Sequence, residues 1–318
     1  MKRIVFFCIC SALLLFLLVA CGGGAQTASA DLPPASELPV ETPAPTDEPT
    51  PEPYVSPVPK ITADWYRART EAIERANRAW GDATDENELR RRVGAMDIDP
   101  NGKRVAFTFD DGPRDELTDA ILDTCAEYNV RVTFFVKGAN IEGHERELKR
   151  MLVLGCEIGN HTWDHVDIET LSASEMRDQI EYVNRALETV LDGYRCRLFR
   201  PPYIKYGDKG SDTRNALVSI MKDHDMAVIN HTRSSHDTYN DYTADMIYDR
   251  CVMETDEMGY GLHNSIILCH DKTQRTADAF RKAVPVLLER GYQLVTVSEL
   301  INCSEEGFHP GWIYKKAD

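Results

Sequence analysis

Beyond residue 103 the chain alternates short apolar runs with longer stretches of helical periodicity, and nothing else in it limits the fold so tightly. Strand-like runs fall at 104–109, 131–136, 156–159, 197–199, 226–229, 265–269 and 292–296. Helical patterns lie between them at about 115–128, 145–154, 172–191, 212–224, 243–258 and 274–290, the third opened by the capping box Ser172-Ala173-Ser174-Glu175. Asp99-Pro100-Asn101-Gly102 is turn chemistry introducing the first strand. Repeated strand–helix units predict parallel strands, closed into a barrel or wound as an open sheet.

The reactive residue types cluster on this map. Asp110 and Asp111 follow the first strand, His161 the third and Arg200 the fourth, while His270 ends the sixth. Parallel α/β folds carry their active sites at the C-terminal ends of their strands, so these separated residues can converge. His161 and His165 are four apart, a spacing that places two imidazoles on one side of a helical turn. Two neutral imidazoles and one carboxylate form a facial set that leaves open positions on a metal. Asp111 can supply that carboxylate and leave Asp110 free as a base, although Asp-Asp-Gly-Pro alone is ordinary turn chemistry. On the sixth strand Ile266, Leu268 and His270 share one face, and Ile267 and Cys269 the other, which argues against a Cys-His nucleophile pair.

Four motifs occur in order: Thr108-Phe109-Asp110-Asp111-Gly112-Pro113, His161-Thr162-Trp163-Asp164-His165, Arg200-Pro201-Pro202-Tyr203 and Leu268-Cys269-His270. Together they resemble the polysaccharide deacetylase family, the NodB-homology domain of carbohydrate esterase family 4, over roughly Lys103 to Ile301. The resemblance implies a distorted (β/α) barrel of about seven parallel strands. It also implies Asp111, His161 and His165 as ligands of a divalent metal, zinc in the first instance, with cobalt or another divalent ion able to serve. Asp110 resembles the catalytic base, His270 the catalytic acid, and Arg200 the partner that tunes Asp110. The Tyr203 amide would bind the oxyanion, and Leu268 would line the acetyl pocket.

Two departures touch the groove. The family's fourth motif reads Asp-x-x-Asp-Trp, whereas this chain has Asn230-His231-Thr232-Arg233-Ser234-Ser235-His236-Asp237-Thr238. Asp237 stands for the aspartate that tunes the histidine, no tryptophan follows it, and Tyr239 is a candidate substitute. His231 and His236 read either as substrate contacts or, more plainly, as exposed loop histidines. Ile204-Lys205-Tyr206 separates Tyr203 from Gly207, where the family commonly has glycine directly after tyrosine.

The N-terminal part follows other rules. Lys2 and Arg3 precede an apolar run, and Leu18-Val19-Ala20-Cys21 resembles a lipobox, so residues 1–20 read as a lipoprotein signal peptide and Cys21 as the lipidated anchor. Residues 21–60, rich in Pro, Thr and Glu, cannot bury enough apolar surface to fold and read as a tether. Such a tether reaches about 100 Å if extended. Residues 61–102 read as a helical extension, 103–303 as the deacetylase domain and 304–318 as a C-terminal tail. The net charge of −16 argues against nucleic acid and against anionic membrane as a second contact. Cys125, Cys156, Cys196, Cys251, Cys269 and Cys303 form no Cys-x-x-Cys pair and read as mainly buried free thiols.

The expected activity is removal of N-acetyl groups from a GlcNAc- or MurNAc-containing polymer, with peptidoglycan favoured by an extracytoplasmic lipid anchor on the bacterial membrane. O-deacetylation of an acetylxylan-type polysaccharide is the second enzyme reading. A wall-binding protein that has lost catalysis is the third. The sequence leaves the oligomeric state open.

Overall fold

The structure is a computed structural model and describes Ile98, Asp99 and residues 101–304 and 307–316. The expected signal peptide, Cys21, the tether and nearly all of the 61–102 extension lie outside the described residues. Among those residues no helix is long and apolar enough to cross a membrane.

The strands are β1 (Lys103–Asp110), β2 (Thr133–Val136), β3 (Glu157–Asn160), β4 (Leu198–Phe199), β5 (Ala227–Ile229), β6 (Arg233–Ser234), β7 (Ser265–His270), β8 (Tyr292–Leu294) and β9 (Ile313–Tyr314). The helices are α1 (Asp115–Tyr128), α2 (Glu145–Val153), α3 (Ala173–Val190), α4 (Asp212–Asp223), α5 (Ala244–Val252), α6 (Gln274–Glu289) and α7 (Val297–Asn302). Every strand pairing is parallel, in the order β6-β7-β1-β2-β3-β4-β5-β9, with β8 beside β1. β1 is the spine. One edge pairs with β7 from Val105 to Asp110, and the other divides between β8 at its start and β2 at its end. Asp110 thereby comes level with His270. Thr232 draws the outer strands together: its N–H donates to Ile266 O (2.9 Å) and its hydroxyl to Lys315 O (2.7 Å). The result is the expected distorted (β/α) barrel.

All seven expected strands are present, and two were not foreseen. β6 and β9 have two residues each, too short to show periodicity. β9 corrects the reading of 304–318 as a tail, because Val228 and Asn230 donate to Trp312 O and Tyr314 O, both at 2.8 Å. α5 stops short of the expected 243–258 because Met253 turns extended (φ −63°, ψ 133°). The short α7 is opened by its own capping box, Thr296 with Glu299.

Strand alternation sorts the core into two sides. Val105, Phe107 and Phe109 point outward to the helices, where Phe280 of α6 meets both phenylalanines at 5.2 Å. Ala106, Phe135, Leu198, Ala227, Ile229 and Ile266 fill the interior with Leu300 and Ile301 of α7. Above Ala106 on the inward face come Thr108 and Asp110, so the interior turns polar at the C-terminal ends of the strands. The six cysteines among the described residues are all free; five are buried and Cys303 is half-buried.

Candidate active site

At that polar end Arg200 is completely buried. Its guanidinium donates to Thr108 Oγ1 (2.6 Å), Asp110 Oδ1 (2.8 Å) and the carbonyls of Ile229 and Asn230 (3.2 Å each), and it lies 4.1 Å from the Phe135 ring. A buried charge is tolerable only when paired and hydrogen-bonded in this way. Asp110 Oδ1 is thus occupied, while Oδ2 faces His161 Nε2 at 3.8 Å.

The loop after β1 is tied down on several sides. Asp111 N–H donates to Phe135 O (3.2 Å), Asn140 Nδ2 to Asp111 O (2.8 Å) and Lys137 N–H to Gly112 O (2.9 Å). Gly112 leaves room for Asp271, on whose carboxyl a Cβ would fall. Asp111 itself has φ +78°, a left-handed conformation costly for a residue with a Cβ.

His161 and His165 do not lie on a helical turn as their spacing predicts. Thr162 (φ +63°) and His165 (φ +61°) are left-handed, which breaks any helix, and Gln179 Oε1 accepts the N–H groups of Trp163 and Asp164 at 3.0 Å each. The rings nevertheless meet, with centroids 5.0 Å apart. His161 Nδ1 is 2.7 Å from the Arg200 carbonyl, an acceptor, so Nδ1 carries the hydrogen and Nε2 keeps its lone pair. Burial holds His161 below its ordinary pKa, in the neutral form a ligand requires.

Asp111 Oδ1 lies 3.0 Å from His165 Nε2 and 3.5 Å from His161 Nε2, buried, with no hydrogen directed at it. One donor atom from each of these three residues falls within 4.8 Å of the others. Two imidazoles and an orphaned carboxylate oxygen converging on one point fit a divalent cation. Burial works against the Asp111 charge, but contact with His165 and the charges of His161 and Lys272 outweigh it and hold the carboxyl far below the usual range.

The opposite flank is built on β7. Leu268 and His270 are half-buried on one face while Ile267 and Cys269 are buried on the other, as alternation predicts. His270 Nδ1 is 2.9 Å from Asp237 Oδ1. Asp237 Oδ2 accepts the His270 backbone N–H (2.6 Å) and Thr276 Oγ1 (3.0 Å). Asp237 therefore fixes Nδ1 as a donor and leaves Nε2 toward the cleft. Burial alone would lower His270, yet the Asp237 hydrogen bond and the charges of Asp237, Asp110 and Asp111 raise it above its ordinary value.

Tyr203 is 64% exposed, has φ +59° and sets its ring edge-on to His165 at 5.0 Å. Tyr239 packs with His236 (4.8 Å) and Tyr242 (5.4 Å). His231 and His236 are half-buried, not the exposed loop histidines of the plainer reading. Burial and the neighbouring Arg200 push His231 down to about 4. Sequence reasoning missed Lys272, Asn140 and Asp271. Position shortly after β2, for Asn140, or β7, for Asp271 and Lys272, was the only available signal for them.

A family model described as polysaccharide deacetylase matches residues 97–217. The peptidoglycan-N-acetylglucosamine deacetylase of Bacillus cereus is 33% identical over 212 residues, spanning 65% of this chain and 71% of that protein. This chain belongs to the polysaccharide deacetylase family. Within the family it is 36% identical over 203 residues to the peptidoglycan-N-acetylmuramic acid deacetylase PdaC of Bacillus subtilis, which covers 64% of this chain but only 40% of that longer protein. The solved PdaC structure matches with a TM-score of 0.56 and 35% identity over 65% of this chain and 93% of its own. A family 4 acetyl xylan esterase from Clostridium thermocellum, solved with a cobalt ion, matches with a TM-score of 0.56 and 27% identity over 67% of this chain and 98% of its own. The peptidoglycan relatives in this comparison are deacetylases by name.

Proposed function

We propose that this chain is a metal-dependent hydrolase that removes N-acetyl groups from GlcNAc- or MurNAc-containing polysaccharide, peptidoglycan above all, releasing acetate and leaving a free amino sugar. The observation that carries the reading is a three-donor cluster, Asp111, His161 and His165, flanked by a carboxylate that Arg200 fixes and an imidazole that Asp237 fixes. A divalent ion held there, zinc first and cobalt as an alternative, supplies Lewis acidity toward the acetyl carbonyl and the attacking water.

The chain's own groups do the rest. Asp110, with Oδ1 bound by Arg200, accepts the water's proton on Oδ2. The Tyr203 amide donates to the oxygen on which charge collects. His270, protonated at both nitrogens, gives its Nε2 proton to the departing amine, because an amide leaves poorly as an anion. Leu268 lines the pocket for the acetyl methyl. Lipidation at Cys21 and the 21–60 tether would hold the domain outside the bacterial membrane among cell-wall polymers.

Both kinds of relative named above inform the substrate. Two act on peptidoglycan by name. The acetyl xylan esterase favours O-deacetylation of a plant-type glycan as the second reading. The test compares wild type with Asp110→Asn and Asp111→Ala for bound metal and for acetate released from peptidoglycan, chitooligosaccharide and acetylated xylan. Asp110→Asn should keep metal and lose activity by about 10²–10⁴-fold, and Asp111→Ala should lose metal. Equal activity in all three proteins refutes the mechanism. Wild type releasing acetate from xylan alone selects the esterase reading, and metal-loaded wild type releasing none selects a binding protein.

A further inference from the structure

The two adjacent carboxylates are handled in the same way, and only one of their cations belongs to the motifs. Arg200 takes Asp110 Oδ1 and leaves Oδ2 to the cleft. Lys272 Nζ pairs with Asp111 Oδ2 and leaves Oδ1 to the histidines. The cations differ sharply in setting: the Arg200 side chain is fully buried, whereas that of Lys272 is 41% exposed. Lys272 stands two residues beyond His270, just before Thr273, whose side chain caps α6. That rigid cap fixes where its stem begins, while its ammonium reaches the loop after β1.

We infer that Lys272 is a positioning residue: a resident counter-cation that holds Asp111 as a one-oxygen ligand and weakens the site's hold on a divalent ion. The inference rests on the metal reading of Asp111, His161 and His165. An ammonium on Oδ2 bars that oxygen from bidentate ligation, so Asp111 can offer a cation only Oδ1. The same positive charge stands within one carboxylate of the ion and repels it, at a strength reduced by solvent around the exposed stem. Arg200 cannot play this part for Asp111, because its donors are committed to Thr108, Asp110, Ile229 and Asn230.

The experiment measures Zn²⁺ affinity of the full chain by equilibrium dialysis, and Zn²⁺ release to excess chelator, for wild type, Lys272→Met, Lys272→Arg and Asp111→Ala. Lys272→Met should bind Zn²⁺ about tenfold more tightly and release it correspondingly more slowly. Lys272→Arg, which keeps the charge, should stay with wild type, a rescue that general loosening of the loop would not produce. Unchanged affinity in Lys272→Met means that the ammonium does not reach the site, and weaker affinity means that it only orients the carboxylate; either result overturns the inference. Failure of the underlying metal reading looks different, since wild type would then bind no stoichiometric Zn²⁺ or Asp111→Ala would bind it equally well.

Discussion

On the β1–β4 flank of the cleft, Asp110, Asp111, His161 and Arg200 are all buried, and the backbone leaves regular structure at Asp111, Thr162, His165 and Tyr203 with left-handed φ. On the β7 flank, His270 ends an ordinary strand, half-buried, and one carboxylate from the irregular 235–237 connection sets its chemistry. The first flank is fixed by the fold: its groups cannot move without breaking barrel hydrogen bonds. The second is tuned, because the charge state of His270 depends chiefly on Asp237. Left-handed non-glycine residues cost about 1–3 kcal/mol each and persist only where surrounding structure over-determines them. Around the cleft such residues gather on the first flank, with His236 the exception on the second, while Asn129, Asp192, Asp225 and Asn264 lie in turns after helices or before β7.

If the first flank is structural as well as chemical, Arg200→Met should show the largest effect of any single change. It leaves Asp110 buried without its cation and strands Thr108 and two carbonyls. Breaking a buried pair from one side costs about 3–5 kcal/mol, which for a domain of this size lowers Tm by roughly 10 °C. Acetate release should fall along with the melting temperature. A variant that melts like wild type in calorimetry would break the comparison.

Asp237→Asn probes the tuned flank and should do the reverse, leaving metal content intact while moving the pH–rate profile. His270 acts in its protonated form, and against burial it is the hydrogen bond to Asp237 that does most to raise its pKa. Without that carboxylate the imidazole loses its proton at lower pH, so the alkaline limb of kcat should shift down by about 1–2 pH units. An unmoved limb would mean that another group donates the proton.

What the sequence made legible follows the same division. Asp110, Asp111, His161, Arg200 and His270 could be placed because each ends or follows a strand long or apolar enough to recognise. The His161–His165 turn was misjudged in conformation but not in outcome, since a left-handed loop also brings two rings together. β6 and β9 were invisible because two residues carry no period. Lys272 was invisible for a different reason: a lone lysine after a histidine has no pattern, and only the distance to Asp111 Oδ2 gives it meaning. His231 looked like a loop residue because it sits in the connection between β5 and β6, where no sequence period reports that the side chain is half-buried.

The smallest expected effect concerns Asp271, which joins the flanks. Its backbone N–H donates to Asp110 O (3.4 Å), its Oδ2 accepts from Thr118 Oγ1 (2.5 Å), and its Oδ1 is buried without a partner. Burial, helped by the Asp111 charge, pushes this carboxyl up to about 7 from an ordinary 3.8, against the pull of Thr118 and Arg114. An acid whose folded value exceeds its unfolded value binds its proton more tightly when folded. Its contribution is complete below the unfolded value and is lost as pH rises through the folded one. Metal-free wild type should therefore lose Tm between about pH 4 and pH 7, over and above the trend set by its other groups. Asp271→Asn, which has no proton to lose, should follow a flatter curve across that window and converge on no further difference above it. Parallel melting curves for the two proteins from pH 4 to pH 8 would show that Asp271 is ionised throughout, and that the link between the flanks carries charge instead of a proton.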